Sequence, residues 1–297
     1  MDIQSFIQQL LNGISLGSLY ALIAIGYTMV YGILRLINFA HGDVFMLGTY
    51  FAFYLVMIFM LPWWLSAILA IALSALVGMF IDRVAYRPLR NAPRISALIT
   101  AVGVSFFMEN TGIVVLGARP KGFPRPDFMS HAYNLGGAYI TGVSIWVPVI
   151  SIILLLVLFY VIYRTKIGMA MRAVSTDMET TRLMGVDLDR VISYTFAIGS
   201  ALAAAGGIMW ACKYPQINPL MGIFPGWKAF TAAVVGGIGN ILGATIGGLV
   251  IGIIEIMIVA FFPALSGYKD AFVFIVLIVF LLVKPTGILG ETLKEKV

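Results

Sequence analysis

After Asp2 the chain runs 32 residues to Arg35 without an Asp, Glu, Lys or Arg, and a second charge-free run, Val44 to Ile81, is 38 residues long. About 20 mostly apolar residues suffice to cross a ~30 Å hydrocarbon layer. Runs of this length are too long for core helices of a soluble domain, so the chain reads as an all-α, polytopic membrane bundle. Soluble domains carry about 25% charged residues. Here the figure is 11%, against 61% hydrophobic residues and a mean hydropathy of +1.01. No segment is left for a separate soluble unit, so residues 1–297 form one transmembrane domain. The formal charge of +6 does not point to nucleic acid, because the basic residues flank spans, where lipid and topology account for them. Cys212 is the sole cysteine, so no intrachain disulfide forms. No basic n-region or A-x-A site marks a cleaved signal peptide. Residues 2–12 are expected to form a short amphipathic lead-in, with Phe6, Ile7, Leu10 and Leu11 on one face.

Nine crossing segments are expected, at roughly 13–33, 43–61, 65–82, 95–116, 143–163, 191–212, 226–239, 241–262 and 270–284. Pro62 with Trp63 and Trp64, the Arg/Pro stretch 83–94, the Pro-rich 117–127 and the two prolines between Tyr214 and Pro219 separate them. The positive-inside rule orients the set. With loop 83–94 cytoplasmic, 13 of the 19 basic residues share that side, including Arg35, five between Arg164 and Arg190, and Lys284, Lys294 and Lys296. Six, Arg119, Lys121, Arg125, Lys213, Lys228 and Lys269, fall on the other. The N-terminus is then outside and the C-terminus cytoplasmic, in the plasma (inner) membrane of a prokaryote.

Segment 226–239 is short: 14 helical residues reach about 21 Å. It ends in Gly236-Gly237-Ile238-Gly239-Asn240. Broken spans are tolerated only where the freed backbone faces protein or a water-filled cavity, and in transporters with internal repeats they point to the binding site. Residues 37–43, with Asn38, His41 and Asp43, make a comparable interruption in the first half. The two breaks are expected near each other on a translocation path, and related halves of an internal repeat would account for both. Glu255, inside the eighth span, costs about 2.5–3.5 kcal/mol on insertion scales. It therefore faces the path or a subunit contact, or else pairs within a helix–helix contact. Small-xxx-small pairs Gly13/Gly17, Gly243/Gly247 and Gly248/Gly252 suit close helix packing. His41 and Asp43 lack further metal-ligating neighbours in sequence, and no catalytic, cofactor or metal set is expected. There is no G-x-x-x-x-G-K-[ST] phosphate loop, so any driving ATP binds another chain.

In the longest inner loop, Thr176 with Glu179 fits a capping box, and Gly185 stands where a helix stops. A two-turn helix this short needs something to pack against.

Several long blocks carry a resemblance. They are 17–32 (GSLYALIAIGYTMVYG) with 37–42 (INFAHG), 83–90 (RVAYRPLR), 228–239 (KAFTAAVVGGIG) and 285–290 (PTGILG). Over nearly its whole length the chain resembles the permease subunits of ABC importers for branched-chain amino acids, the LivH type. The resemblance implies a second homologous permease, two ATPase subunits carrying ATP and Mg, an extracytoplasmic substrate-binding protein, alternating access within membrane lipid, and leucine, isoleucine or valine as substrate. It also implies a cytoplasmic coupling helix, matching the 176–185 segment with Gly168, Arg172 and Ala173 leading in and Leu183, Met184 and Gly185 at its end. The EAA-type loop of other ABC importers is absent. A permease for urea or short amides is the alternative within transport. A self-sufficient secondary transporter or channel is the rival class, short of the intramembrane ionisable groups that ion coupling needs.

Overall fold

A computed structural model describes residues 3–90, 92–135 and 138–290; Asp2, Lys294 and Lys296 lie outside the described residues. The helices, in chain order, are α1 (Ile3–Leu34), α2 (His41–Met57), α3 (Trp63–Ile81), α4 (Arg94–Leu116), α5 (Asp127–Ser130), α6 (Gly142–Arg164), α7 (Lys166–Thr176), α8 (Met178–Leu183), α9 (Leu188–Lys213), α10 (Ile223–Gly236), α11 (Ile241–Phe261) and α12 (Lys269–Val283). Among the described residues, seven helical segments are long and apolar enough to cross a membrane: α1, α3 with its continuation to Leu89, α4, α6, α9, α11, and α12 with the 3-10 turn that opens at Pro263. The other two expected segments are α2 and α10, of 17 and 14 residues.

Several boundaries differ from the sequence reading. The expected lead-in at 2–12 is the first three turns of α1, since Asn12-Gly13 does not break the helix. The first interruption closes sooner, at residue 40. Arg35 takes a positive φ of 54°, and His41, Gly42 and Asp43 form the opening turn of α2. Helix α10 starts and ends three residues earlier than expected, because Gly237 adopts φ 109°, a conformation open to glycine, and ends it.

The packing is organised by two triplets, α1–α2–α3 and α9–α10–α11. Helix α2 packs on α3 and α9, α10 packs on α11 and α1, α3 lies along α9, α11 lies along α1, and α1 meets α9. Exchanging the triplets leaves this pattern unchanged. Gly26 faces Gly199 while Lys213 Nζ donates to Ser15 Oγ (3.0 Å), so α1 and α9 run antiparallel. Gly78 against Ser200, and Ser193 donating to Asp82 (2.5 Å), set α3 antiparallel to α9 as well. Gly13 beside Ile253 and Gly32 beside Gly239 set α11 antiparallel to α1. The halves are thus related by inversion, the arrangement described for many transporter folds.

Lipid supplies no hydrophobic drive between helices, so close van der Waals packing holds them. The α1–α11 seam shows it: a Cβ on Gly17 would sit 2.7 Å from Leu249 Cα, and Gly248 and Gly252 approach the α1 backbone at Ala21 and Gly17. Gly243 and Gly247 do the same against Gly236 and Ala232 of α10. In its most apolar stretch 94% of the residues of α1 are buried by its own chain, against 6% in the segment Pro263–Val283 that holds α12, so α1 is the central helix and α12 a peripheral one.

The loops gather on two faces. On the first, Arg87 and Arg90 both donate to Asp189, and Arg90 also reaches Asp82 (2.8 Å), tying 82–90 to the start of α9. Arg35, α7, residues 238–241 and 285–290 surround a cavity of about 670 Å³ on the same side. On the second face, β1 (Lys121–Gly122) pairs with β4 (Gln216–Ile217), and β2 (Ala132–Leu135) with β3 (Ala138–Thr141). This grouping matches the loop sides read from charge, with one exception. Lys228 is buried within α10 and does not belong to the outer loops.

Candidate functional site

The two short helices begin against each other inside the protein. A Cβ on Gly42 would lie 2.7 Å from Gly222 O, and one on Gly226 would lie 3.3 Å from Gly42 Cα. The glycines at these positions therefore let the opening turns of α2 and α10 touch through backbone. Around the contact, Tyr27 stacks obliquely on His41 with ring centroids 4.6 Å apart. His41 is buried and bonded to the Ile23 backbone. Asn38 accepts from Tyr86 Oη (2.9 Å), fixing the extended stretch before α2 to the end of α3. The break at 37–43 thus meets the start of α10. The glycine break at its other end does not join it: Gly236 and Gly237 pack on 287–290, Leu289 N donates to Gly236 O (2.9 Å), and Asn240 both donates to Leu289 O and caps α11 at Gly243 N (3.0 Å each). Gly239, with φ 99°, lines the 670 Å³ cavity.

Beside the α2–α10 contact is a cleft of about 210 Å³ walled by Tyr27, Phe39, Phe106, Trp227 and Phe230. Asp43, buried at the start of α2, and Glu109, on α4, enter the same cleft. Ser105 Oγ stands between them, 2.6 Å from Asp43 Oδ2 and 3.5 Å from Glu109 Oε1. Glu109 is thereby brought to Asp43, a contact across 66 residues that no local pattern signals.

Glu255 lies apart from both breaks and is paired. Lys228 Nζ is 2.8 Å from its Oε1, Tyr20 Oη donates to its Oε2 (2.7 Å), and both charged side chains are about 95% buried or more. Asp270 (2.5 Å from Lys228) and Lys269 (3.7 Å from Glu255) extend the pair toward the second face. Of the alternatives left open for Glu255, the helix–helix pair is the one observed. Lys228 was the missed partner, and an unexplained lysine inside a short span was the available signal.

The 176–185 segment forms as a helix, capped one residue later than expected. Thr176 ends α7, its hydroxyl turned back to Arg172 O (3.0 Å). Asp177 is the N-cap of α8, accepting from Thr180 N (3.0 Å) and Thr180 Oγ1 (2.7 Å). A carboxylate at a helix start is favoured by both capping and the helix dipole. Glu179 then falls at the second helical position, one short of where a capping box closes. Gly185, at φ 82°, ends the turn as expected. Thr165 caps α7 through Gly168 N (3.1 Å), whose backbone packs on the end of α6, and the Arg172 guanidinium lies over the Tyr163 ring. Leu183 and Met184 stand 84% and 80% exposed on the first face.

Residues 9–281 match the family described as branched-chain amino acid transport system / permease component. The chain is 44% identical to the high-affinity branched-chain amino acid transport system permease protein LivH of Escherichia coli (strain K12), over 98% of each chain. It is 41% identical to the corresponding permease protein BraD of Pseudomonas aeruginosa, over 100% of this chain and 99% of that one. Among solved structures, PsaBC from Streptococcus pneumoniae in complex with Fab shares the fold, with a TM-score of 0.50 at 12% identity over 94% of this chain and 92% of that one.

Proposed function

Because this chain belongs to the family of branched-chain amino acid transport permeases, we propose that it is the membrane permease subunit of an ATP-driven importer for leucine, isoleucine and valine. The observation that carries the reading is the inverted pair of triplets whose short helices α2 and α10 start against each other within the bundle. Irregular backbone held there needs protein or a water-filled path around it, and a site flanked by two inverted halves can open to either side as one half rocks against the other. The first face is cytoplasmic, because it holds most of the basic residues. The N-terminus is outside and the C-terminus inside, in the inner membrane of a prokaryote.

ATP and Mg are held by two ATPase subunits, a second permease completes the core, and a binding protein delivers substrate from outside. Helix α8 is the coupling element. Its capped start and exposed Leu183 and Met184 suit insertion into a partner groove. Asp189, gripped by Arg87 and Arg90, then passes its displacement to the end of α3. ATP-driven closure moves α8, and the bundle exchanges one of two discrete arrangements for the other. The test is the Leu183→Asp/Met184→Asp double variant in the assembled importer. ATP hydrolysis is expected to persist while leucine uptake is lost. Wild-type uptake with the ATPases attached would refute the coupling role. Uptake of urea or short amides in place of leucine would refute the substrate.

A further inference from the structure

We propose that the aromatic cleft beside the α2–α10 contact is a substrate subsite that takes the α-ammonium of the amino acid on Asp43 and Glu109 and its aliphatic side chain on Phe106, Trp227 and Phe230. The proposal rests on the importer reading above and deepens it. At about 210 Å³ the cleft falls below the ~300–1,000 Å³ of pockets for drug-sized ligands, which fits one small molecule. Asp43 and Glu109 share a single hydroxyl, and among the described residues no Lys, Arg or His forms an ion pair with either. A carboxylate as buried as Asp43, with a second carboxylate close by, is costly to keep charged without a cation. The ring faces themselves favour an ammonium. Among the described residues no basic side chain lines the cleft. The side chains of the cleft thus supply recognition of the ammonium and of the aliphatic side chain. Val102, Phe106 and Trp227 line the cleft and are exposed on the single chain, so the cleft opens at the surface of the subunit.

The test uses nucleotide-free membrane vesicles with the assembled importer carrying Val102→Cys in a Cys212→Ser background, labelled by a methanethiosulfonate reagent. Leucine at ten times its Kd slows labelling about tenfold, as simple occupancy requires. Leucine amide, which keeps the ammonium, protects likewise; 2-hydroxy-4-methylpentanoate, which lacks it, does not. Asp43→Asn and, at the less buried position, Glu109→Gln each raise the leucine concentration that gives half-protection by about tenfold or more, the loss of a charge-assisted hydrogen bond. Leucine uptake without protection of the introduced thiol overturns the subsite and leaves the importer reading standing. Equal protection by the hydroxy acid, or full protection in Glu109→Gln, overturns the ammonium assignment. Uptake and protection by urea in place of leucine overturns the branched-chain amino acid as substrate, on which the subsite rests.

Discussion

Removing the lysine of the Lys228–Glu255 pair is expected to cost more than neutralising the glutamate. Lys228→Met leaves the Glu255 carboxylate 3% exposed, with Tyr20 as its close donor and Lys269 3.7 Å away on a half-exposed side chain. Stranding a buried charge in this way costs about 3–5 kcal/mol. Glu255→Gln leaves Lys228 beside Asp270 at 2.5 Å, and the glutamine amide oxygen still accepts from Tyr20. The cost is then that of a weakened charged hydrogen bond, roughly 1–3 kcal/mol. Asp270 is 36% exposed, so solvent screens part of what it offers Lys228 and keeps the figure toward the upper end. The Lys228→Met/Glu255→Met double variant removes both charges and is expected to recover most of the loss, since a buried ion pair replaced by apolar residues is often near neutral. The assay is detergent-solubilised protein titrated with denaturing surfactant and followed by tryptophan fluorescence, across wild type, both singles and the double. Glu255→Gln as destabilising as Lys228→Met, or a double variant worse than the sum of the singles, would refute this account.

Two further outcomes are expected. Asp177→Ala should lower the stability of α8 by about 0.5–2 kcal/mol, the cost of a lost N-cap, and increase amide exchange over 178–183, whereas Thr176→Ala should leave that exchange nearly unchanged. Cysteine at Ser130 should react with a membrane-impermeant thiol reagent on intact cells, and cysteine at Ser175 only after permeabilisation, in the Cys212→Ser background; the reverse pattern refutes the orientation.

The bundle was legible because bilayer thickness imposes span length directly on the sequence, and charge then sorts the loops. The broken segments were legible because Asn38, His41, Asp43 and the 236–240 glycines interrupt apolar runs visibly. What each break touches was not. Gly42 meeting Gly222, and Glu109 meeting Asp43, depend on how helices cross, and one-dimensional spacing carries no information on crossing. The cap of α8 was misplaced by one residue because Thr176 and Asp177 are both good caps. The choice falls to backbone geometry: Asp177 is extended at φ −151° while Thr176 remains helical. Lys228 was taken as a loop cation because charge counting sees the sign of a residue and not its burial.

The central position of α1 has a consequence for how the chain is made. It is made before the other described spans, yet its glycine face at Gly13, Gly17 and Gly32 is completed by residues 239–253, more than 200 residues later. Until α11 emerges, that notched face has lipid or another helix against it, and side-chain-free grooves pack poorly against acyl chains. The N-terminal half is thus an unfinished intermediate for most of synthesis, and its native order is set late, by long-range closure. A nascent chain halted before residue 241 should present α1 to proteases and membrane chaperones, and one released after residue 261 should not.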